Sequence, residues 1–333
     1  MSRQIRIVYE NKIYMDSIVK SMTWSGEREQ GFRKLELDLN NTKNGLTPVL
    51  QIEEGKEILM LYQDEEIFRG FIFSSTMDMN GGMSIVAYDA NIYLTKTTDS
   101  RRFRHHTATQ IIHQLCQDYD IPFGVLEDTE YVHPSLIMRN KTLWDMMITA
   151  LTETFNQTGE RFFIYSAKGK LELRKVKTAS PFLLQSGFSL LDLSCSRSIE
   201  DLRNQIRLKV GDEIDYTDLS LINDPPSIER YGLMQHEESM DAGTNKSQLD
   251  QRARQLLREL NQVKKEISVE AIGDIRVTSG SSVRVKETMN QVDAIYYVVS
   301  DSHSFSNGVH QMSLGLSISD SLPTLEYTSE TTT

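Results

Sequence analysis

The chain has 333 residues, a formal net charge of −11 and 39% hydrophobic residues, which allows two or three globular domains with separate cores and excludes a fibrous or disordered class. No apolar run reaches the ~20 residues of a membrane-spanning helix, and the opening MSRQIRIVYE has a strand pattern without an apolar signal region, so synthesis and folding in a cytoplasm are expected. Cys116 and Cys195 lie far apart in different segments and are expected as reduced, packed thiols rather than a disulfide.

Alternation of Ile5, Ile7 and Tyr9 predicts a first strand, with a hairpin over Glu10 and Asn11 into residues 12–14. Residues 18–25 read as a strand and 26–31 as a charged turn. In 32–39, Leu35, Leu37 and Leu39 point one way and Glu36 and Asp38 the other, the mark of a half-buried antiparallel strand. Residues 40–48 form a polar loop, 57–62 and 67–73 a hairpin, and 83–88 a closing strand. Six or seven short strands and no helix over residues 1–98 predict a small β-barrel or sandwich.

Residues 99–180 differ. Over 107–119, Ile111, Ile112, Leu115, Cys116 and Tyr119 form an apolar stripe with Gln110, Gln114 and Gln117 outside it, a helix ended by Pro122 and Gly124. A second helix is predicted over 142–155, capped by Thr142 and Asp145, with Leu143, Met146, Met147, Ala150 and Leu151 at helical spacing. Strands 161–166 and 170–175 across Lys168 and Gly169 complete an inserted α+β unit.

From residue 188 the β pattern resumes, with strands over 190–196 and 204–210. Residues 211–246, with Asp224, Pro225 and Pro226 in the middle, are expected as an excursion with little regular structure. A long amphipathic helix is predicted over 247–263, capped by Ser247 and Asp250. Leu249, Ala253, Leu256, Leu257, Leu260 and Val263 line one face; Arg252, Arg254, Arg258 and Glu259 line the other. Strands over 267–272, 282–285, 295–300 and 309–318 complete a second β module over residues 181–325, and 326–333 are expected as a flexible tail.

Two stretches resemble each other. From Gly55 and again from Gly280 the order is a Gly, an apolar strand, a polar turn and an aromatic and β-branched strand. A Ser/Asp-rich break, an Asn-Gly turn (Asn80-Gly81 and Asn307-Gly308) and an alternating strand follow. The Gly-to-Asn spacing is 25 and 27 positions. Internal duplication explains the shared order, and the general likeness of antiparallel meanders is the alternative. The predicted class is therefore mainly β, two β modules with an inserted α+β unit and one long helix in the second module.

Charge is unevenly placed: net −3 over 1–98, +1 over 99–180 and −9 over 181–333. Such acidity serves solubility, or keeps a surface from adhering to passing DNA. The candidate chemistry is sparse. His105, His106, His113, Cys116 and Asp120 contain the spacing i, i+3, i+7 on one helix, but Cys116 belongs to the apolar stripe and no CxxC or HExxH accompanies it. A core thiol with surface histidines is favoured over zinc. Arg101, Arg102 and Arg104 with His105 and His106 form the densest basic string, either a solvated approach to the helix, a protein contact or a phosphate contact. The acidic pairs Glu27/Glu29, Asp128/Glu130 and Glu237/Glu238 lie in charged, loop-like stretches, and no nucleotide motif or nucleophile elbow is present. No catalytic, cofactor or metal residue is assigned.

The order of parts resembles a known family. The stretch RRFRHHTATQIIHQLCQDYDIPFG, then KTLWDMMITALTETFNQTGERFFIYSAKGKLELRKV, then the helix QLDQRARQLLRELN within a second β module, is similar to the baseplate hub proteins of contractile phage tails. The likeness is to the XkdQ/YqbQ type of phage-like elements in Gram-positive bacteria, relatives of the late-control D proteins. The resemblance covers nearly the whole chain and brings no catalytic motif with it. It implies two tail-tube-like β-barrels per chain and a homotrimeric ring with pseudo-sixfold symmetry. That ring would join the hexameric tail tube to the trimeric central spike. Tape measure protein would end in the lumen, baseplate wedge proteins would dock outside, and DNA would be passing cargo. It places the protein in the baseplate of a virion or tailocin. Open edges at 32–39 and 295–300 are expected to pair between chains. A tail-associated cell-wall hydrolase using the inserted unit (His113 and Glu153) and the hub of a tail-derived contractile injection system are the alternatives.

Overall fold

Residues 5–42, 49–176, 181–210, 220–240, 244–289, 292–318, 325 and 327 are described by the structure, a computed structural model. The first segment forms β1 (Ile5–Tyr9), β2 (Ile13–Tyr14), β3 (Val19–Glu27), β4 (Arg33–Asn40), β5 (Glu57–Tyr62), β6 (Glu65–Met77), β7 (Gly82–Tyr88) and a short helix α1 (Ile92–Lys96) where none was expected. The inserted segment forms β8 (Thr98–Thr107), α2 (Ala108–Asp118), β9 (Phe123–Leu126), β10 (Val132–Thr142), α3 (Leu143–Thr158), β11 (Phe162–Ala167) and β12 (Lys170–Lys175). Next come β13 (Phe182–Gln185), β14 (Leu190–Ser198), β15 (Gln205–Val210), β16 (Ser220–Asn223), α4 (Pro225–Tyr231), β17 (Gln235–Met240) and α5 (Lys246–Leu260). The chain ends in β18 (Lys264–Ile272), β19 (Ser282–Glu287), β20 (Val292–Ser306) and β21 (Val309–Ser317). Two compact units result, Met1–Leu193 with Ser268–Thr333, and Ser194–Ile267.

In the larger unit β21-β20-β3-β4-β7-β6-β5-β1-β2 are hydrogen-bonded neighbours in one sheet, and β19 pairs with both β20 and β13. The two stretches alike in sequence, β5-β6-β7 and β19-β20-β21, are each an antiparallel meander. In both, the long middle strand runs on through the Ser/Asp-rich stretch that the pattern marked as a break. In both it skips one residue against its following partner, Phe73 in β6 and Val299 in β20. Such a bulge bends the strand and raises its twist. The two Asn-Gly turns differ: Asn307 and Gly308 both have positive φ, 52° and 78°, the tight two-residue turn that fits strand twist. In the other only Gly81 does, and Asp78 Oδ1 closes that loop by accepting from Asn80 N (2.7 Å) and Gly82 N (2.9 Å).

Neither strand expected as an open edge is one. β4 lies between β3 and β7, and β20 pairs with β19, β21 and β3. The pairing expected between chains is made within one chain, by β3 and β20. Met22, Trp24, Leu35, Leu37, Leu39, Phe68, Ile72, Ile85 and Phe305 are buried in the core beneath it.

The inserted segment has its own core, from Phe103, Ile111, Ile112, Leu115, Cys116, Met146, Met147, Ile164 and Leu173. Both helices begin as predicted: Thr107 and Gln110 form a capping box, and the Thr142 hydroxyl accepts from Asp145 N. The ribbon β8-β10 and the strands β9 and β13 were not predicted. In β8 only Phe103 marks the inward face among charged and polar residues, so its periodicity is hidden. Part of the tail is anchored, contrary to expectation: Tyr327 packs on this core and its hydroxyl accepts from Ile137 N at 3.0 Å. The other residues beyond 325 lie outside the described residues.

In the smaller unit β15 pairs antiparallel with β16 and parallel with β17, and Leu249, Ala253 and Leu256 of α5 pack on Ile206 and Leu208. The excursion is thus largely ordered where described, while 211–219 and 241–243 lie outside the described residues. Asp224 caps α4, making it a second helix in this module. Helix α5 begins one residue earlier than predicted: Asn245 caps it and Gln248 returns the bond. Asp250 instead accepts from Ser220 Oγ at 2.6 Å.

Candidate functional site

The densest convergence of buried polar groups lies where β3 meets β20. Their register sets Trp24 opposite His303 and Gly26 opposite Asp301. Arg33, the first residue of β4, stands across from Gly26. A Cβ on Gly26 would sit 2.6 Å from Arg33 Nη1, so glycine makes room for the guanidinium there. Arg33 donates to both carboxylate oxygens of Asp301, at 3.0 and 2.5 Å, and its guanidinium lies 3.7 Å from the Trp24 ring centre. Ser279 N donates to the same carboxylate at 2.6 Å. Burial pushes the Asp301 carboxyl up, but the Arg33 charge and the His303 ring outweigh it and hold it down at about 2.

His303 is fully buried beside this pair. Its Nε2–H donates to the Val277 carbonyl at 3.0 Å, and its Nδ1 lies 3.0 Å from His310 Nε2. His310 stacks on Phe305 at 4.0 Å between centroids. Burial, then the neighbouring His303, push His310 down to about 4. Asp89 is also buried, accepting from Arg33 N (2.8 Å) and Asn91 N (3.0 Å), and desolvation raises it to about 6. Most of these polar atoms satisfy one another, while Arg33 Nε and Trp24 Nε1 are buried without a hydrogen-bond partner. The arrangement is a buried electrostatic tie between β4 and β20 rather than an open acid–base site. The other face of the same strands carries hydroxyls: Thr23, Ser25, Ser300, Ser302 and Ser313 line a cleft of ≈620 Å3 walled by Tyr88, together with the charged Glu27, Lys34, Glu36 and Lys96.

The candidates from the sequence are not brought together. Cys116 is buried in the inserted core, with its thiol pushed up to about 12 by desolvation. His113 packs edge-on against Phe123, and Asp120 and His105 are exposed. Among the described residues no three His, Cys, Asp or Glu are placed to hold a metal. Cys195 is exposed rather than packed. Arg101 turns inward to Asp99 (2.5 Å) and Asp118 (2.9 Å), whereas Arg102 and Arg104 point out. The acidic pairs serve structure: Glu27 accepts from Gln30, Asp128 closes a turn on Glu130 N, and Glu237 and Glu238 pair with Lys209 and Arg252. The tie at Arg33 and Asp301 was missed because its members are 268 positions apart in sequence.

Against known proteins, residues 22–317 match the family model described as YQBQ-like. Two relatives from Bacillus subtilis (strain 168) are similar over almost their whole length. The uncharacterized protein YqbQ is 31% identical over 314 residues, 93% of this chain and 95% of that protein. The phage-like element PBSX protein XkdQ is 30% identical over 319 residues, 95% and 97%. Among solved structures, the 43 kDa tail protein of prophage MuSo2 from Shewanella oneidensis superposes with a TM-score of 0.67 at 13% identity, covering 94% of this chain and 97% of that one. The E. coli c3393 protein, a component of the type VI secretion system with similarity to T4 tail proteins gp27 and gp5, gives 0.53 at 9% identity, covering 90% and 73%. The fold is thus that of phage tail proteins, and the chain belongs to the YqbQ-like family.

Proposed function

We propose that the chain is the structural hub of a contractile-tail baseplate, a homotrimeric ring that presents pseudo-sixfold symmetry to the tail tube and threefold symmetry to the central spike. The observation that carries this reading is the pair of meanders with matching bulges, linked in one sheet through β3 and β4, with the Arg33–Asp301 tie fastening β4 to β20. Closed cyclic symmetry turns three such double chains into six quasi-equivalent positions. Residues 1–98 and 181–325 are the two tube-like barrels in this scheme, and 99–180 is the inserted domain. In this scheme the face of β3 and β20 that carries Thr23, Ser25, Ser300 and Ser302, with Lys34, Glu36 and Lys96 in the same cleft, lines the lumen through which tape measure protein and DNA pass. Wedge proteins dock outside. The relative XkdQ belongs to a phage-like element, which supports a virion or tailocin particle; the hub of a contractile injection system remains the second reading, supported by the likeness to c3393. The role is architectural rather than catalytic. Mass in solution together with negative-stain symmetry tests it: a ring of three that binds purified tube protein on one face and spike on the other is expected, and a chain that stays monomeric with both partners present refutes it.

A further inference from the structure

Beyond the two meanders, the sheet repeats a strand order. β3-β4-β7-β6-β5 are hydrogen-bonded neighbours in that sequence, and so are β14-β18-β21-β20-β19. β3 and β14 each have nine residues, β5 and β19 six. Buried residues in alternation fix the alignment: Leu35, Leu37 and Leu39 of β4 match Ile267, Val269 and Ala271 of β18. The backbone repeats the match, since Asn40 N donates to Ile18 O and, next after Ala271, Ile272 N donates to Ser189 O. On this alignment residues 24–27 correspond to 195–198, and Arg33 corresponds to Lys265. In the long middle strands, Ile72 bonds to Gly55 and Lys56, and Val298 to Gly280 and Ser281. The bulge residue follows in each, so residues 74–77 correspond to 300–303.

The difference lies at the edges. Residues 300–303 of β20 pair with residues 24–27 of β3. Residues 74–77 of β6 pair with β7 on one side, whereas the β5 ladder on the other side stops at Phe71, and among the described residues no strand continues it. β14 is the end strand of the sheet, with Cys195, Ser196 and Arg197 exposed. Each open edge is therefore the counterpart of one half of the β3-β20 joint.

We infer that residues 195–198 of β14 add as a strand to residues 74–77 of β6 in a neighbouring copy of this chain, repeating between copies the joint that β3 and β20 make within one. The inference rests on the ring proposed above and names the strands that link its chains. The ladder inside the chain sets the register: Ser74 faces Ser198, Ser75 faces Arg197, Thr76 faces Ser196 and Met77 faces Cys195. Main-chain hydrogen bonds then satisfy both open edges. The charge pattern repeats as well. Within the chain Arg33 reaches Asp301, which also accepts from Ser279 N. Between copies Lys265 takes the place of Arg33, and Ser75 that of Asp301. Glu54, which precedes Gly55 as Ser279 precedes Gly280, already accepts from Ser75 Oγ at 2.6 Å. Its carboxylate is exposed and is the acceptor for Lys265 and Arg197 of the neighbour, both exposed. Residues 195–198 and 265 lie in the smaller unit, residues 54 and 74–77 in the larger, so two different surfaces meet head to tail. The joint also gives the exposed Cys195 a cover like that of its buried counterpart Trp24.

The test is disulfide trapping in the full chain with purified tube and spike proteins present. Cys116 is buried, so M77C has one reactive partner, Cys195. Directly opposed residues of antiparallel strands have Cα atoms about 4.5–5.5 Å apart, within disulfide reach. Oxidation of M77C with diamide should link chains into species of up to three on non-reducing gels. M77C/C195S, and V125C as an exposed thiol in the inserted segment, should give no such ladder. In sedimentation velocity R197E/K265E should weaken association about tenfold, and R197E/K265E/E54K should restore part of the loss. Thermal melts confirm that these exposed substitutions leave the fold intact. Rings of wild type with no cross-link in M77C overturn the inference and leave the hub standing. Cross-linking that stops at two chains upholds the joint and overturns the threefold ring. Cross-linking with R197E/K265E unaltered upholds the strand joint and overturns the charge pair. A wild type that never associates refutes both the joint and the hub.

Discussion

Replacing Arg33 with methionine isolates the tie between β4 and β20. Met is close in volume to the aliphatic part of Arg and can still cover Trp24, so the change removes charge and hydrogen bonds more than packing. The Asp301 carboxylate, with no exposed surface, would keep the 2.6 Å bond from Ser279 N and lose both bonds from the guanidinium. Breaking one partner of a buried pair costs about 3–5 kcal/mol, because the remaining charge stays desolvated. For a unit of this size that corresponds to roughly 8 °C in melting temperature. The double variant R33M/D301L should recover most of the loss, since two apolar side chains leave no unpaired charge. The pH dependence adds a second signature. In wild type Asp301 is held at about 2, so its stabilising contribution is complete above the ordinary carboxylate value and is lost as pH falls towards 2. In R33M its pKa rises above the ordinary value, so the penalty is largest near neutral pH and shrinks as acid protonates the carboxyl. Calorimetric melts of the four proteins at pH 4 and pH 7 measure both effects. An R33M variant within 0.5 °C of wild type, or a double variant as unstable as the sum of the singles, would sink the argument.

Other consequences follow from particular contacts. Gly31 has φ 67° and a Cβ there would come 2.0 Å from the Trp144 ring, so G31A should cost about 2–4 kcal/mol in urea unfolding and loosen the inserted core. N245A should cost about 1 kcal/mol in α5 stability while S247A costs little, which hydrogen exchange of the first helical turn can separate. His133 and His310 are both pushed down to about 4, chiefly by burial, so the fold favours their neutral forms and stability falls as pH drops from 6.5 towards 4. Asp89, raised to about 6, acts oppositely, since the fold binds its proton between 6 and 3.8. Two histidines against one carboxyl leave a net loss of stability by pH 4, readable from denaturant midpoints.

Local patterns revealed most elements of this chain. Leu35, Leu37 and Leu39 announced β4, and the Ile111–Leu115 stripe announced α2, because one face of each is buried and the other wet. The pattern failed where charge masked periodicity, as in β8, whose one buried apolar residue, Phe103, stands between Arg102 and Arg104. It failed again at the start of α5, where two polar residues two positions apart, Asn245 and Ser247, each offer a plausible cap and only backbone geometry chooses. The alternating leucines of β4 could not say what lies beside the strand. Pairing partners come from long-range contacts, so an interior strand was taken for an open edge. The tie itself was illegible for the same reason: Arg33 and Asp301 become neighbours only once β3 has found β20.

The central claim is that one chain supplies two of six quasi-equivalent positions in a threefold ring. Cryo-electron microscopy of the purified assembly, with its mass measured in parallel, addresses it directly. The account predicts a closed ring of three 38.2 kDa chains, with β5-β6-β7 and β19-β20-β21 alternating around the axis at near-sixfold spacing. A ring of six chains, or two meanders of one chain lying at different radii from the axis, would contradict it.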